Sequence, residues 1–99
     1  MRVEYDSEAN ALSIDLVDEQ ELHAGYGEEL GAQCVVAIDA AGRPVNVEVL
    51  DPARWLEEAL SAASERYSLD REALEAAARS ALAAPDRVVV IEVGARAAA

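Results

Sequence analysis

Apolar and polar residues alternate in four short segments of the first half of the chain. The apolar positions are Val3 and Tyr5, then Leu12, Ile14 and Leu16, then Cys34, Val36 and Ile38, and then Val45, Val47 and Val49. A period of two is the signature of a β-strand with one buried and one solvent-facing side. The pattern therefore predicts a sheet of short strands that must be covered on one face.

Short turn segments join these strands. Asp6 and Asn10 have the spacing for hydrogen bonds from side chain to backbone, which predicts a structural bend between the first two strands. In the segment 40–44, Gly42 can adopt positive φ and Pro44 suits the first residue of a strand. Residues 18–31 contain three glycines, which predict a short edge strand or a mobile loop. Glu48 points away from the valine face, where it would pair with an arginine such as Arg87 or face a partner.

Two helices are predicted after the strands. Asp51 and Pro52 indicate the start of the first helix, with a side-chain acceptor at the cap and proline at the first helical position. Its apolar period extends to about Tyr67. Asp70 indicates the start of a second, alanine-rich helix, which Pro85 ends. The apolar stripes predict that both helices pack on the sheet.

Residues 87–94 form the last predicted strand, in which Val88, Val89, Val90 and Ile91 are apolar on both faces. Such a strand needs cover, either beside the earlier strands of its own chain or from a second subunit. We expect a homodimer in which this strand or the second helix contributes to the interface. The predicted interface residues are Val88, Val89, Val90, Ile91 and Val93.

The predicted architecture is a single α+β domain over residues 1–94. An antiparallel sheet of about five strands, in the order β-β-β-β-α-α-β, packs on two helices. Residues 95–99 are expected to be a disordered tail.

The chain reads VEYDSEANALSIDL at 3–16 and VVAIDAAGRPVNVEVLDPA at 35–53. These two stretches resemble a known bacterial family, the domain of unknown function 2283. Its pattern is Y-D-x-x-x-(D/N)-x-L-x-I, a variable acidic stretch, and then a hairpin that ends in E-(hydrophobic)-L-D. The resemblance implies a small β-sheet followed by a helix over residues 1–66, with residues 67–94 as an extension, and it implies no catalytic residue. The matching positions are Tyr5, Asp6, Asn10, Leu12, Ile14, Asp39, Gly42, Val45, Glu48, Leu50 and Asp51.

The charge of the chain narrows the class of partner. The formal net charge is −12, and residues 1–52 hold twelve acidic residues and two arginines. Such a field repels phosphate backbones and anionic lipids, so neither nucleic acid nor a membrane is an expected partner, whereas a basic protein or a cation is. No apolar run approaches the roughly 18 residues of a membrane span. The lone Cys34 cannot form an intramolecular disulfide, which favours the cytoplasm.

Few residues could carry chemistry. The acidic run at 15–23 holds five potential ligands of a cation but lacks the order of a calcium-binding loop. They are Asp15, Asp18, Glu19, Glu21 and His23. The chain has no serine or cysteine nucleophile motif and no phosphate-binding glycine loop, so we expect no enzyme activity, no cofactor and no metal. The favoured function is a non-catalytic, self-associating interaction module. The alternatives are an antitoxin-like neutraliser of a basic protein and a domain that binds a cation or small ligand.

Overall fold

The computed structural model describes residues 1–23 and 25–91. Within these ranges all strands belong to a single antiparallel sheet with the order β3-β4-β5-β2-β1-β6. A short 3₁₀ turn at Glu19–Glu21 lies between the second and third strands. The elements are β1 (Arg2–Asp6), β2 (Ala11–Asp15), β3 (Tyr26–Gly31), β4 (Cys34–Ile38), β5 (Pro44–Leu50), α1 (Pro52–Tyr67), α2 (Arg71–Ala83) and β6 (Val88–Val90).

The core lies between one face of the sheet and the two helices. The alternating apolar residues of the strands point into it, as the period of two predicts. The helices contribute a stripe of leucine and small alanine side chains, which lets them approach the sheet closely. The fully buried helix residues include Ala59, Leu60, Ala63, Ala77, Ala78 and Ala81.

The predicted α+β class and the packing on two helices are confirmed, but the strand count is six rather than about five. The additional strand is β3, in the glycine-rich segment that was expected to be a short edge strand or a mobile loop. Glycine weakens a strand interior, but β3 is at the edge and pairs with the apolar strand β4. A register shift between Glu29 and Gly31 accommodates the irregular sequence.

The helix termini agree with the sequence prediction except at the first cap. Asp70 caps α2 as predicted, because its Oδ1 accepts a hydrogen bond from the Ala73 N–H at 3.2 Å. The predicted side-chain cap by Asp51 is wrong. Asp51 adopts a left-handed conformation with φ of 49°, and its carbonyl accepts from the Arg54 and Trp55 N–H groups. Its carboxylate is turned towards Asn10 instead.

The last strand is inserted in the sheet of its own chain. β6 pairs antiparallel with β1, with Val89 opposite Val3, and it forms one edge of the sheet within the described residues. Met1 and Ile91 exchange two backbone hydrogen bonds at 2.7 Å, which extends the pairing by one residue. The predicted strand positions beyond Ile91, including Val93, and the predicted tail at 95–99 lie outside the described residues.

Candidate interaction surface

The face of the sheet opposite α1 and α2 is not covered by any described element. We call it the open face. Strand parity assigns to it every second side chain of each strand. These include Val88 and Val90, Arg2 and Glu4, Ser13 and Asp15, Asn46 and Glu48, Val35 and Ala37, and Gly27 and Glu29, with Asp6, Ala11 and Leu50 at the ends of their strands.

Three glutamates of the open face lie in one line across the sheet. The register places Val88 opposite Glu4, Glu4 opposite Ser13, and so on across all six strands. Every second strand therefore carries a carboxylate, and consecutive carboxylates are about 10 Å apart at the base of their side chains. We call this line the carboxylate row; in order it contains Val88, Glu4, Ser13, Glu48, Val35 and Glu29.

Glu4, Glu29 and Glu48 form no ion pair or side-chain hydrogen bond with any described residue. Glu48 does not pair with Arg87, which was the alternative left open by the sequence. The ion pairs of the described residues lie elsewhere, for example between Arg2 and Glu19 at 3.3 Å. The glutamates of the carboxylate row therefore form no ion pair among the residues at 1–23 and 25–91, although Arg2, paired with Glu19, lies beside Glu4 on the same face of β1.

A polar network fixes the centre of the open face. The Asn46 side-chain amide donates to Ser13 Oγ and to Asp15 Oδ1, both at 2.8 Å. These bonds connect β5 to β2 on the open face, and all three side chains are partly buried. Neutral and charged hydrogen bonds of this kind hold side chains in one rotamer. The side chains next to the glutamates are therefore short and held in one conformation.

Apolar side chains are found towards both ends of the open face. At the β6 edge, Val88 is 46% exposed and Val90 is 70% exposed. Towards the β3 edge, Leu50 is 38% exposed and borders, with Val35, a shallow depression of about 300 Å³. The open face therefore combines carboxylates with exposed apolar side chains.

Of the four predicted interface residues that the structure describes, two lie on this surface. Val88 and Val90 belong to the open face. Val89 points to the helix side opposite Val3, and Ile91 packs against the core. Val93 lies outside the described residues.

The acidic run at 15–23 does not converge on one point. Asp15 accepts from Asn46, Glu19 pairs with Arg2, and Glu21 pairs with Arg43 at 3.5 Å. No three His, Cys, Asp or Glu side chains of the described ranges form a group that could hold a metal ion. This run therefore supplies ion pairs to its neighbours.

Cys34 is buried under the helices. Burial raises the pKa of its thiol to about 11. The thiol therefore stays protonated near neutral pH, and a protonated thiol is a poor nucleophile.

The turn residues of the sequence pattern meet at one end of the sheet. Asp6 Oδ1 accepts from the Glu8 and Ala9 N–H groups, as the predicted bend requires. Asn10 instead adopts φ of 52° and accepts from the Tyr5 hydroxyl at 2.7 Å. The Asn10 carbonyl also accepts from the Asp51 N–H at 2.9 Å, which ties the bend to the start of α1. Asn10 therefore connects the bend to α1. Its spacing from Asp6 predicted only a hydrogen bond within the bend.

This architecture defines a two-layer α+β domain with an acidic, uncovered sheet face. The model of the family described as "Protein of unknown function (DUF2283)" matches residues 2–51, and the chain belongs to this family. The matched segment contains β1 to β5, and α1, α2 and β6 follow it. Comparison with curated proteins and with solved structures gave no match. Neither of the two α-helices described has the length and apolar content needed to cross a membrane.

Proposed function

We propose that the protein is a non-catalytic interaction module whose open face binds a basic protein. The observation that carries this proposal is the carboxylate row, in which three glutamates form no ion pair with any described residue. An unpaired carboxylate on a flat surface is well hydrated in the free protein and gains a charge-assisted hydrogen bond when a cation arrives. The neutralisation of a basic partner is the biological role that this binding would serve.

The whole-molecule charge supports the same class of partner. A net charge of −12 attracts a cationic protein over a distance comparable to the Debye length and raises its rate of encounter. The apolar residues at the two ends of the open face then supply the short-range contacts that charge alone does not give.

A pair of charge-matched variants tests this proposal. The open-face variant carries Glu4→Gln, Glu29→Gln and Glu48→Gln. The helix-face variant carries Glu57→Gln, Glu58→Gln and Glu65→Gln, on the exposed side of α1. Both changes remove three negative charges, so a difference between the variants reports the position of the charge and not its amount.

The measurement is photo-cross-linking in the cells that express the chain, with the cross-linker at Ser13 on the open face or at Ala76 on the exposed side of α2. We expect the Ser13 cross-linker to capture a protein that mass spectrometry identifies as basic. The adduct should be lost in the open-face variant and retained in the helix-face variant. Equal loss in both variants, or capture from Ala76 alone, would contradict the proposal.

Self-association is a second candidate, favoured by the exposed pair Val88 and Val90 on the edge strand β6. An edge strand with apolar side chains is a template for pairing with another chain. Sedimentation across the micromolar range should show a dimer that dissociates in the variant Val88→Thr, Val90→Thr. The control Val35→Thr changes the open face away from β6 and should remain dimeric. A monomer of the unmodified chain throughout this range contradicts self-association.

A further inference from the structure

We infer that the partner segment seated on the open face is an amphipathic α-helix that crosses the strands and carries cationic residues seven positions apart. This inference rests on the proposed function and specifies the secondary structure and the residue spacing of the partner. It follows from the geometry of the carboxylate row, from the side chains between the carboxylates, and from the absence of an aromatic platform.

The spacing of the strands agrees with the pitch of a helix. Adjacent strands are about 4.8 Å apart, and one turn of an α-helix advances about 5.4 Å. A helix that crosses the sheet therefore presents about one residue to each strand. Consecutive carboxylates of the row are two strand spacings apart, which is about 10 Å. Residues i and i+7 of a helix are about 10.5 Å apart along its axis, so the two distances match.

The order of side chains along the carboxylate row then predicts the sequence pattern of the helix. Cations at i, i+7 and i+14 would be over Glu4, Glu48 and Glu29. The helix residue between the first and second cations would lie over Ser13, which is small. The helix residue between the second and third cations would lie over Val35, which is apolar. The predicted partner helix therefore alternates cations with small or apolar residues along one stripe.

An extended partner fits this row less well. Side chains on one face of a β-strand repeat at about 6.7 Å, which matches neither one nor two strand spacings. A polyproline II segment repeats at about 9.3 Å, but its recognition depends on grooves lined by aromatic residues. The open face carries no aromatic side chain among the described residues, because the three tyrosines belong to the helix side of the molecule and Trp55 lies on α1.

The surface beside the carboxylate row is low at its β4–β3 end. In the neighbouring line across the sheet, Ala37 and Gly27 rise little above the backbone. The same line holds Asn46 and Asp15, which are hydrogen-bonded to each other, and Arg2, whose charge is paired with Glu19. At the β6 end, Val88 and Val90 offer an apolar contact for the first turn of the helix. A guanidinium is the better cation here, because it binds a carboxylate through two parallel hydrogen bonds and keeps its apolar stem on the surface.

Three labelled peptides of identical composition, built on an alanine and glutamine helix, test the inference against the full chain by fluorescence anisotropy. The first carries arginine at i, i+7 and i+14, so that all three arginines share one face. The second carries them at i, i+5 and i+10, so that they point to three different sides. The third keeps the first spacing, but D-amino acids at alternate positions prevent the helix.

We expect the first peptide to bind about tenfold more tightly than either of the others, as three favourable surface ion pairs would allow. The open-face variant should lose this preference, and the helix-face variant should keep it. Equal affinities of the first and second peptides, equal affinities of the first and third, or no binding of any peptide overturns the inference. If the peptides fail while the Ser13 cross-linker still captures a basic protein, docking on the open face stands and only the helical partner is wrong.

Discussion

At the residue scale, backbone conformation at the turn between β3 and β4 limits stability. Ala32 and Gln33 are the two residues of this turn, and they adopt φ of 50° and 59°. A residue with a Cβ atom is disfavoured there, whereas Asn and Gly are the preferred pair in a two-residue turn with positive φ. The turn therefore stores conformational strain that a substitution can relieve.

We predict that Ala32→Asn combined with Gln33→Gly raises the free energy of unfolding by about 1 kcal/mol. Urea unfolding followed by circular dichroism measures the change. Ala41→Gly in the other hairpin serves as control, because Ala41 is not among the positive-φ residues and glycine there only adds entropy to the unfolded chain. A loss of stability in the Asn-Gly variant would show that the turn is not strained.

The carboxylate of Asp39, in the turn between β4 and β5, makes the stability of the fold depend on pH in the acidic range. Its carboxylate accepts from the Arg43 N–H at 2.8 Å, from Arg43 Nε at 3.1 Å and from the Ala41 N–H at 3.0 Å. The Arg43 backbone N–H is the main cause that lowers the pKa of Asp39 below its ordinary value of 3.8. A lowered pKa means that the carboxylate stabilises the fold above pH 3.8 and that this contribution is lost as the pH falls through the folded-state pKa.

We predict that Asp39→Asn is less stable than the unmodified chain near neutral pH and that the difference shrinks as the pH falls from about 6 to about 2. Unfolding in urea at a series of pH values gives this difference. Asp18→Asn provides the comparison, because the Asp18 side chain caps no N–H of the 3₁₀ turn after it. If the stability difference between Asp39→Asn and the unmodified chain did not vary with pH, the carboxylate of Asp39 would not be the group that titrates.

At the scale of elements, a side-chain clamp holds β6 to the first hairpin. Asp86 precedes β6, and its carboxylate accepts from the Ser7 hydroxyl at 2.6 Å and from the Ser7 N–H at 2.8 Å. The Asp86 N–H in turn donates to the Tyr5 carbonyl at 2.8 Å. Because β6 has only three residues, these contacts are a large part of what attaches it to β1.

Removing this clamp should loosen β6 selectively. We predict faster amide hydrogen exchange at β6 in Asp86→Ala and unchanged exchange in the central strand β5. Asp86→Asn keeps an acceptor for Ser7 and should show a smaller effect. Unchanged protection of β6 in Asp86→Ala would mean that the strand is held by its backbone pairing alone.

A second contact joins the opposite edge of the sheet to α1. The Tyr67 hydroxyl, near the end of α1, donates to the Glu28 carboxylate of β3, and Arg66 pairs with the same carboxylate at 3.2 Å. Burial, followed by the hydrogen bond to Glu28, raises the pKa of Tyr67 to about 12 from its ordinary 10.0. The neutral phenol is thus the form that stabilises the fold.

The pKa of Tyr67 is higher in the folded state than in the unfolded state. Its contribution to the free energy of unfolding is therefore complete below pH 10 and is lost as the pH rises through about 12. We predict that Tyr67→Phe is less stable at neutral pH and loses less stability over this alkaline interval than the unmodified chain. Tyr26→Phe, at a tyrosine that is 59% exposed, should retain the alkaline loss. The same alkaline loss in Tyr67→Phe would assign it to another group.

The sequence predicted most elements because their signals are local. The alternation at 11–16 and 45–49, the proline at 52 and the aspartate at 70 each act within one strand or one helical turn. It left β3 open between a short edge strand and a mobile loop, and it predicted a side-chain cap at Asp51, because both features depend on neighbours distant in the chain. β3 is stabilised by pairing with β4, and Asp51 is held by the carbonyl of Asn10.

At the scale of the whole molecule, the carboxylate row could not be predicted from the sequence. Glu4, Glu29 and Glu48 are far apart along the chain, and only the strand order and register bring them into line. The sequence did identify the acidic first half and, through the position of Glu48, a residue that could face a partner. Which other acids share its face is a property of the assembled sheet.

An NMR titration of the full chain with hexa-arginine compares the two faces within one molecule. The amide shifts should concentrate around Glu4, Ser13 and Glu48 on the open face and should disappear at high salt. Shifts of equal or greater size around Glu57, Glu58 and Glu65 on α1 would show that the open face has no preference for a cationic partner, which would contradict the central claim.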